Sequence, residues 1–245
     1  EAGFGADLGF EKFMHIKTRS SGIIPSAVVL VVTLRAIKYH GGVKLNDLEI
    51  PNHEAIEKGV PNVTHLASVI NSFNLPVVIA INKHPSDTIE EINQVKSILK
   101  GADVIDTAES SVYADGGLGG IELANAVVEA SNQTPDKCEY IYSLEDSIED
   151  KVSAIAAKVY GASSVNWNRV ASRKREQFTK LGWGKMPICM AKTHLSISDK
   201  AIRKGAPKNY AFQISDLRAS VGAGFIYPTA GNIMTMPGLP KEPRQ

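Results

Sequence analysis

Continuous runs of apolar, β-branched residues recur along the first half of the chain, and segments with apolar positions at helical spacing separate them. AVVLVVT at 27–33 and VVIAI at 77–81 read as strands buried on both faces of a parallel sheet. A weaker strand is expected at 104–107 and a fourth at 139–142, with helices over 62–73, 88–99 and 119–130. Asp87 with Glu90 three positions later predicts a capping box opening the 88–99 helix. The strand over 77–81 then hands the chain through NKHPS to a helix N-terminus. In α/β proteins that carboxyl end of a parallel strand is the usual place for ligand chemistry.

Beyond about residue 143 the pattern changes. Helices are expected over 148–160, closed by Gly161, and over 170–181, closed by Gly182. MPICMAKT, YAFQIS and GAGFIYPTAG read as strands broken by Gly and Pro. The expected fold class is α/β, a mainly parallel sheet with flanking helices followed by a smaller C-terminal α/β region.

Composition narrows the function classes. The 245 residues are 43% hydrophobic and 22% charged, ordinary for a globular protein, and 27 Lys and Arg against 26 Asp and Glu give a net charge of +1. That balance calls for neither a nucleic acid nor an anionic membrane as partner. Arg173-Lys174-Arg175 reads as the solvated side of a helix. Cys138 and Cys189 lie in apolar segments, which favours reduced thiols and a cytoplasmic location. The run AVVLVVTL at 27–34 is far shorter than the roughly 20 residues of a membrane span. The chain opens inside a glycine-rich turn, EAGFGADLG, and reads as cut from something longer.

INKHPSD at 81–87 approaches the base-reading Asn-Lys-x-Asp pattern, but its acid comes two residues late. His84 could still stack on, or hydrogen-bond to, a flat ring. Tyr113, in SSVYADGG after the third strand, would stand on the same sheet edge, with a half-buried core position as its simpler reading. The phosphate loop G-x-x-x-x-G-K-[ST] is absent: Lys17-Thr18, Lys96-Ser97 and Lys192-Thr193 each follow Ile, Val or Ala. GGLGG at 116–120 opens a helix and offers free amides to an anion, or forms a plain turn. The six histidines and two cysteines have no metal-site spacing, so no metal ligand is expected, and G-x-S-x-G does not occur. In TLRAIKYHGG at 33–42, Arg35 and Lys38 would share a helix face, suited to a phosphate or an internal carboxylate.

VVTLRAIKYHGG is similar to the Val-Ala-Thr-x-Arg-Ala-x-Lys-x-His-Gly-Gly signature of formate-tetrahydrofolate ligases. EAGFGADLGFEKF, VVIAINKHPSDT, PICMAKTHLSISD and GAGFIYPTAGNIMTMPGLPK resemble further blocks of that family, in order. The resemblance covers essentially the whole chain and implies the C-terminal half of the enzyme, truncated at both ends, with the P-loop half elsewhere. It implies a ligase of one-carbon metabolism that joins formate to tetrahydrofolate through formyl phosphate. ATP with Mg2+ would be co-substrate, a monovalent cation an option, and the assembly a homo-oligomer. A P-loop NTPase-like remnant at 1–73, a βαβαβ folate-binding region at 74–160 and a small α/β domain at 161–245 are implied as well.

The same resemblance places the pterin between two aromatic rings, at positions held here by His84 and Tyr113, with Pro85 beside the first. Phe4, flanked by Gly3 and Gly5 for close backbone approach, falls near the formyl phosphate. A pterin-binding module without catalysis, and an inactive relic, are the alternatives. The 27–33 strand is expected to leave a sheet edge uncovered. An organellar location stays open.

Overall fold

The computed structural model describes residues 2–133, 135, 137–231 and 233. β1 (Val28–Val32), β2 (Val77–Asn82) and β3 (Asp106–Ser110) form a parallel sheet in that order. β2 is central, and all its residues from Val77 to Ile81 are buried, as a strand covered on both faces requires. Val77, Ile79 and Ile81 share a core with Val63 and Ile70 of α3 (His53–Asn71) and Ile92 and Val95 of α4 (Ile89–Leu99). On the opposite face Val78 and Ala108 meet Ala126 and Ala130 of α6 (Ile121–Ser131). The fold class is therefore the expected one.

Among the described residues β1 is the outer strand, hydrogen-bonded on one side only. Leu30 and Val32 face the core, whereas Val31 is 61% exposed and Val29 37%. The edge expected of this strand is uncovered among the described residues.

Residues 6–21 wind as one helix, largely in π-turns at Ala6–Phe10 and Phe13–Thr18, and end in the short α1 (Arg19–Ser21) before Gly22 at φ 71°. After β1 comes α2 (Leu34–His40), opened by Thr33, whose hydroxyl accepts from the Ala36 N–H at 3.1 Å. After β3 come α5 (Val112–Asp115), a 3-10 turn at Gly116–Gly120, and α6. The C-terminal part carries α7 (Ile148–Lys158), β4 (Ser164–Trp167), α8 (Arg169–Lys180), β5 (Ala211–Ser220) and β6 (Phe225–Ala230). β4 pairs parallel with β5, and β5 antiparallel with β6. One apolar core runs through both sheets, with Tyr160 stacked on Phe212 at 4.9 Å.

Several expectations are corrected. Residues 139–142 are not a strand, because their backbone is held by other partners. Glu139 N–H donates to Phe73 O, Ile141 N–H to His15 Nε2, and Arg19 to Tyr142 O. The 62–73 helix begins at His53, passing through Gly59 and Pro61, residues that normally interrupt a helix. Gly59 is required there: a Cβ on it would sit 1.9 Å from Ile37 O of α2. The cap of α4 is Thr88, which accepts from Glu91 N–H at 3.2 Å, so the capping residue lies one position later than expected. The 186–193 stretch contributes two isolated bridges, Ile188 to Ile226 and Ala191 to Thr229, instead of a strand. Lys174 and Arg175 are ion-paired, to Asp216 at 2.5 Å and Glu149 at 2.7 Å, so that basic run is not simply solvated. The boundary expected at 73/74 falls between β1 and β2 of the first sheet, and that at 160/161 just after α7.

Candidate active site

Two loops leave the carboxyl ends of β2 and β3 side by side, and the Lys83 N–H joins them by donating to Ser110 O at 2.9 Å. The first carries His84 and Pro85. Asp87, freed from capping, accepts from the His84 N–H at 2.8 Å and closes the loop into a tight turn. His84 Nδ1 lies 2.8 Å from Ser86 Oγ and accepts from the Ser86 N–H at 3.3 Å. That assignment places the ring proton on Nε2, on the opposite side of the imidazole from this turn.

The second loop carries Tyr113 on the single turn of α5. It is 93% exposed, which removes the reading of a half-buried core tyrosine. Gly119 packs against Ser111 so closely that a Cβ would meet Ser111 Oγ at 2.5 Å, and Ser111 N–H donates to Gly119 O at 3.0 Å. The glycine run thus folds the Tyr113 turn onto the start of α6. Behind both loops Lys96 bridges Glu109 at 3.0 Å and Glu122 at 2.9 Å. No stacking contact joins His84 and Tyr113 to each other.

A third group of residues gathers at the carboxyl end of β1. Phe4 holds a left-handed backbone at φ 62°, an outlier for a bulky side chain, and is 75% exposed. Its ring lies 5.9 Å from that of His194. Gly9 packs on Gly3, where a Cβ would fall 1.6 Å from Gly3 O, and a Cβ on Gly5 would meet Asp7 Oδ1 at 2.6 Å. A cavity of about 230 Å3 lies here between Gly5, Asp7, Thr33, His40, Asn62 and His194, bordered also by apolar side chains of α2 and α3. Asp7 is paired with the buried Lys192 at 2.6 Å. Lys192 also donates to the carbonyls of Thr193 and Ser196 and sits over the Tyr160 ring. Burial pulls the Lys192 pKa down, opposed by the Asp7 carboxylate. A second, larger groove of about 730 Å3 runs along the open edge of β1 past Phe4.

Arg35 and Lys38 do not present a joint anion site. Arg35 reaches Glu49 at 3.6 Å on the surface, while Lys38 turns inward to Glu91 at 3.3 Å with neither side chain exposed. Among the described residues no group of three His, Cys, Asp or Glu could hold a metal ion. No helix of the described residues is long and apolar enough to cross a membrane, and both cysteines are free thiols.

Asp7, Lys192, His40 and His194 were not singled out by sequence reasoning. All four lie inside EAGFGADLG, VVTLRAIKYHGG and PICMAKTHLSISD, blocks whose resemblance was noted, so block position was the signal available.

Similarity to known proteins agrees with this architecture. The family model for formate-tetrahydrofolate ligase matches residues 1–245. Formate-tetrahydrofolate ligase of Roseiflexus sp. (strain RS-1) is 46% identical over 251 residues, covering 99% of this chain and 44% of that protein. The ligases of Desulforamulus reducens and Roseiflexus castenholzii are 47% and 45% identical over the same lengths. The chain thus spans under half the length of these relatives. With a match along its whole length and nearly half its residues identical to these ligases, the chain belongs to the formate-tetrahydrofolate ligase family.

Proposed function

We propose that this chain carries the folate-facing part of an ATP-dependent ligase that joins formate to tetrahydrofolate and yields 10-formyltetrahydrofolate through formyl phosphate. The observation that carries the reading is that His84 and Tyr113 stand on joined loops at the carboxyl ends of adjacent parallel strands, with the cavity lined by Gly5, Asp7 and His40 at the end of the next strand.

In this reading His84, with Pro85 beside it, and Tyr113 flank the pterin. Stacking supplies affinity, and His84 Nε2–H adds a donor for the ring system. Phe4, with Gly3 and Gly5, borders the formyl phosphate and shields it from water. ATP with Mg2+ supplies the phosphoryl group that activates formate, held chiefly by residues of the ligase outside this chain. Segments 1–73, 74–160 and 161–245 are assigned to the nucleotide side, the folate side and a small supporting unit. A homo-oligomer working in the cytoplasm completes the proposal.

The test is product formation by the complete ligase containing this chain. With ATP, formate and tetrahydrofolate it should release ADP, phosphate and 10-formyltetrahydrofolate. Failure to form that product under conditions where a relative does so would overturn the reading.

A further inference from the structure

His40, at the end of α2, lines the cavity it shares with Gly5 and Asp7, one turn beyond Ala36 and Ile37. Its Nδ1 accepts from the Gly205 N–H at 3.2 Å, which puts the ring proton on Nε2 and leaves that N–H as the donor for a ligand. Burial, and after it the positive charge of Lys204, hold the His40 pKa below its ordinary value, against an opposite pull from Asp7. That shift favours the uncharged ring. The Asp7 carboxylate in the same wall is balanced by Lys192. A small cavity whose one carboxylate is ion-paired, lined otherwise by apolar side chains and by Thr33, Asn62, His194 and Ser196, and offering an imidazole N–H, suits the oxygen of a small acyl group better than a polyanion.

We propose that His40 is a catalytic residue of formyl transfer, donating its Nε2–H to the carbonyl oxygen of the formyl donor seated in this cavity. The proposal rests on the ligase reading above. In the step, the folate amine forms its bond to the formyl carbon as the carbonyl electron pair moves onto oxygen, opposite His40. When that pair returns, the carbon–oxygen bond to phosphate breaks, and phosphate leaves carrying the amine proton. A donor fixed in place before the reaction gains strength as the oxygen becomes anionic, which favours the transition state over the ground state. The Gly205 contact fixes the ring, so little reorganisation accompanies the charge.

Two variants of the complete ligase separate this role from a structural one. In His40→Asn the side-chain oxygen can still accept from Gly205, but nothing reaches the position of Nε2. In His40→Gln the amide reaches that position and loses the Gly205 contact. Expected is a fall of about 100-fold in kcat for His40→Asn, with the KM for tetrahydrofolate and the melting temperature held, and a distinctly smaller fall for His40→Gln, which keeps the donor but not the contact that fixes it. Parent-like kcat in His40→Asn, or an equal fall in both variants, would overturn the proposal. If neither variant folds, 15N shifts of histidine in the parent decide: movement of the His40 Nε2 signal on adding acetyl phosphate supports it, and an unmoved signal overturns it. A parent that forms no product removes the ligase reading itself; an active parent with an unaffected His40→Asn removes only the role of His40.

Discussion

Lys38 and Glu91 form a buried ion pair, Nζ to Oε1 at 3.3 Å, that ties the helix after β1 to the helix after β2. Glu91 also accepts from the Asn52 N–H at 2.8 Å, and Lys38 donates to Ile50 O at 3.2 Å. Breaking such a pair leaves one charge buried and unmatched. Glu91→Ala should therefore cost about 3–5 kcal/mol in urea unfolding. The double change Lys38→Met with Glu91→Leu should cost clearly less, since it leaves no stranded charge. Equal losses in the single and double variants would contradict this account of the pair.

Helices α2 and α3 touch through glycine. A Cβ on Gly41 would fall 2.0 Å from Ala55 O, and one on Gly59 would fall 1.9 Å from Ile37 O. Backbone atoms cannot yield as a flexible side chain does. Gly59→Ala is expected to destabilise by about 1–3 kcal/mol or more, although alanine is the better helix former at an unconstrained site. A thermal melt of Gly59→Ala unchanged from the parent would count against the contact.

These helices also show what the sequence makes legible. The central strand was readable because β2 is buried on both faces and its residues are uniformly apolar. The start of α3 was hidden because Gly59 and Pro61 answer to a neighbour, α2, that local pattern cannot show. Residues 139–142 look like a strand because they include Tyr140, Ile141 and Tyr142. Their backbone is nevertheless satisfied by His15, Arg19 and Phe73, all distant in sequence. The same limit governs the site. His84 and Tyr113 follow strands and could be found by position, whereas the Asp7–Lys192 and His40–Gly205 contacts join segments more than 160 residues apart.

The open edge of β1 makes a separate prediction. Val31 is 61% exposed on the edge strand of its sheet, beside a groove of about 730 Å3. Such an edge recruits other chains. Val31→Lys should lower self-association in light scattering and leave the melting temperature within a degree or so, because exposed substitutions cost about 0.5 kcal/mol or less. Undiminished association would place the sticky surface elsewhere.

Acid should weaken the fold through His40. Its folded pKa lies below the unfolded value near 6.5, so the unfolded chain binds the proton first as pH falls. The contribution of the neutral ring is complete above about 6.5 and is lost as pH drops toward the lower folded value. Lys204 reinforces the effect and Asp7 opposes it. Urea unfolding at about pH 7.5 and about pH 5.5 should show a smaller drop for His40→Gln than for the parent; an identical drop would mean that His40 does not carry it.

The central claim, that the loops after β2 and β3 receive the pterin, is tested most directly by calorimetric titration of the chain with tetrahydrofolate. The account predicts saturable heat for the parent, lost in His84→Ala and in Tyr113→Ala, and tighter binding in His84→Phe, which enlarges the stacking surface. Saturable heat that is the same in all four proteins, or no heat in any of them, would contradict it.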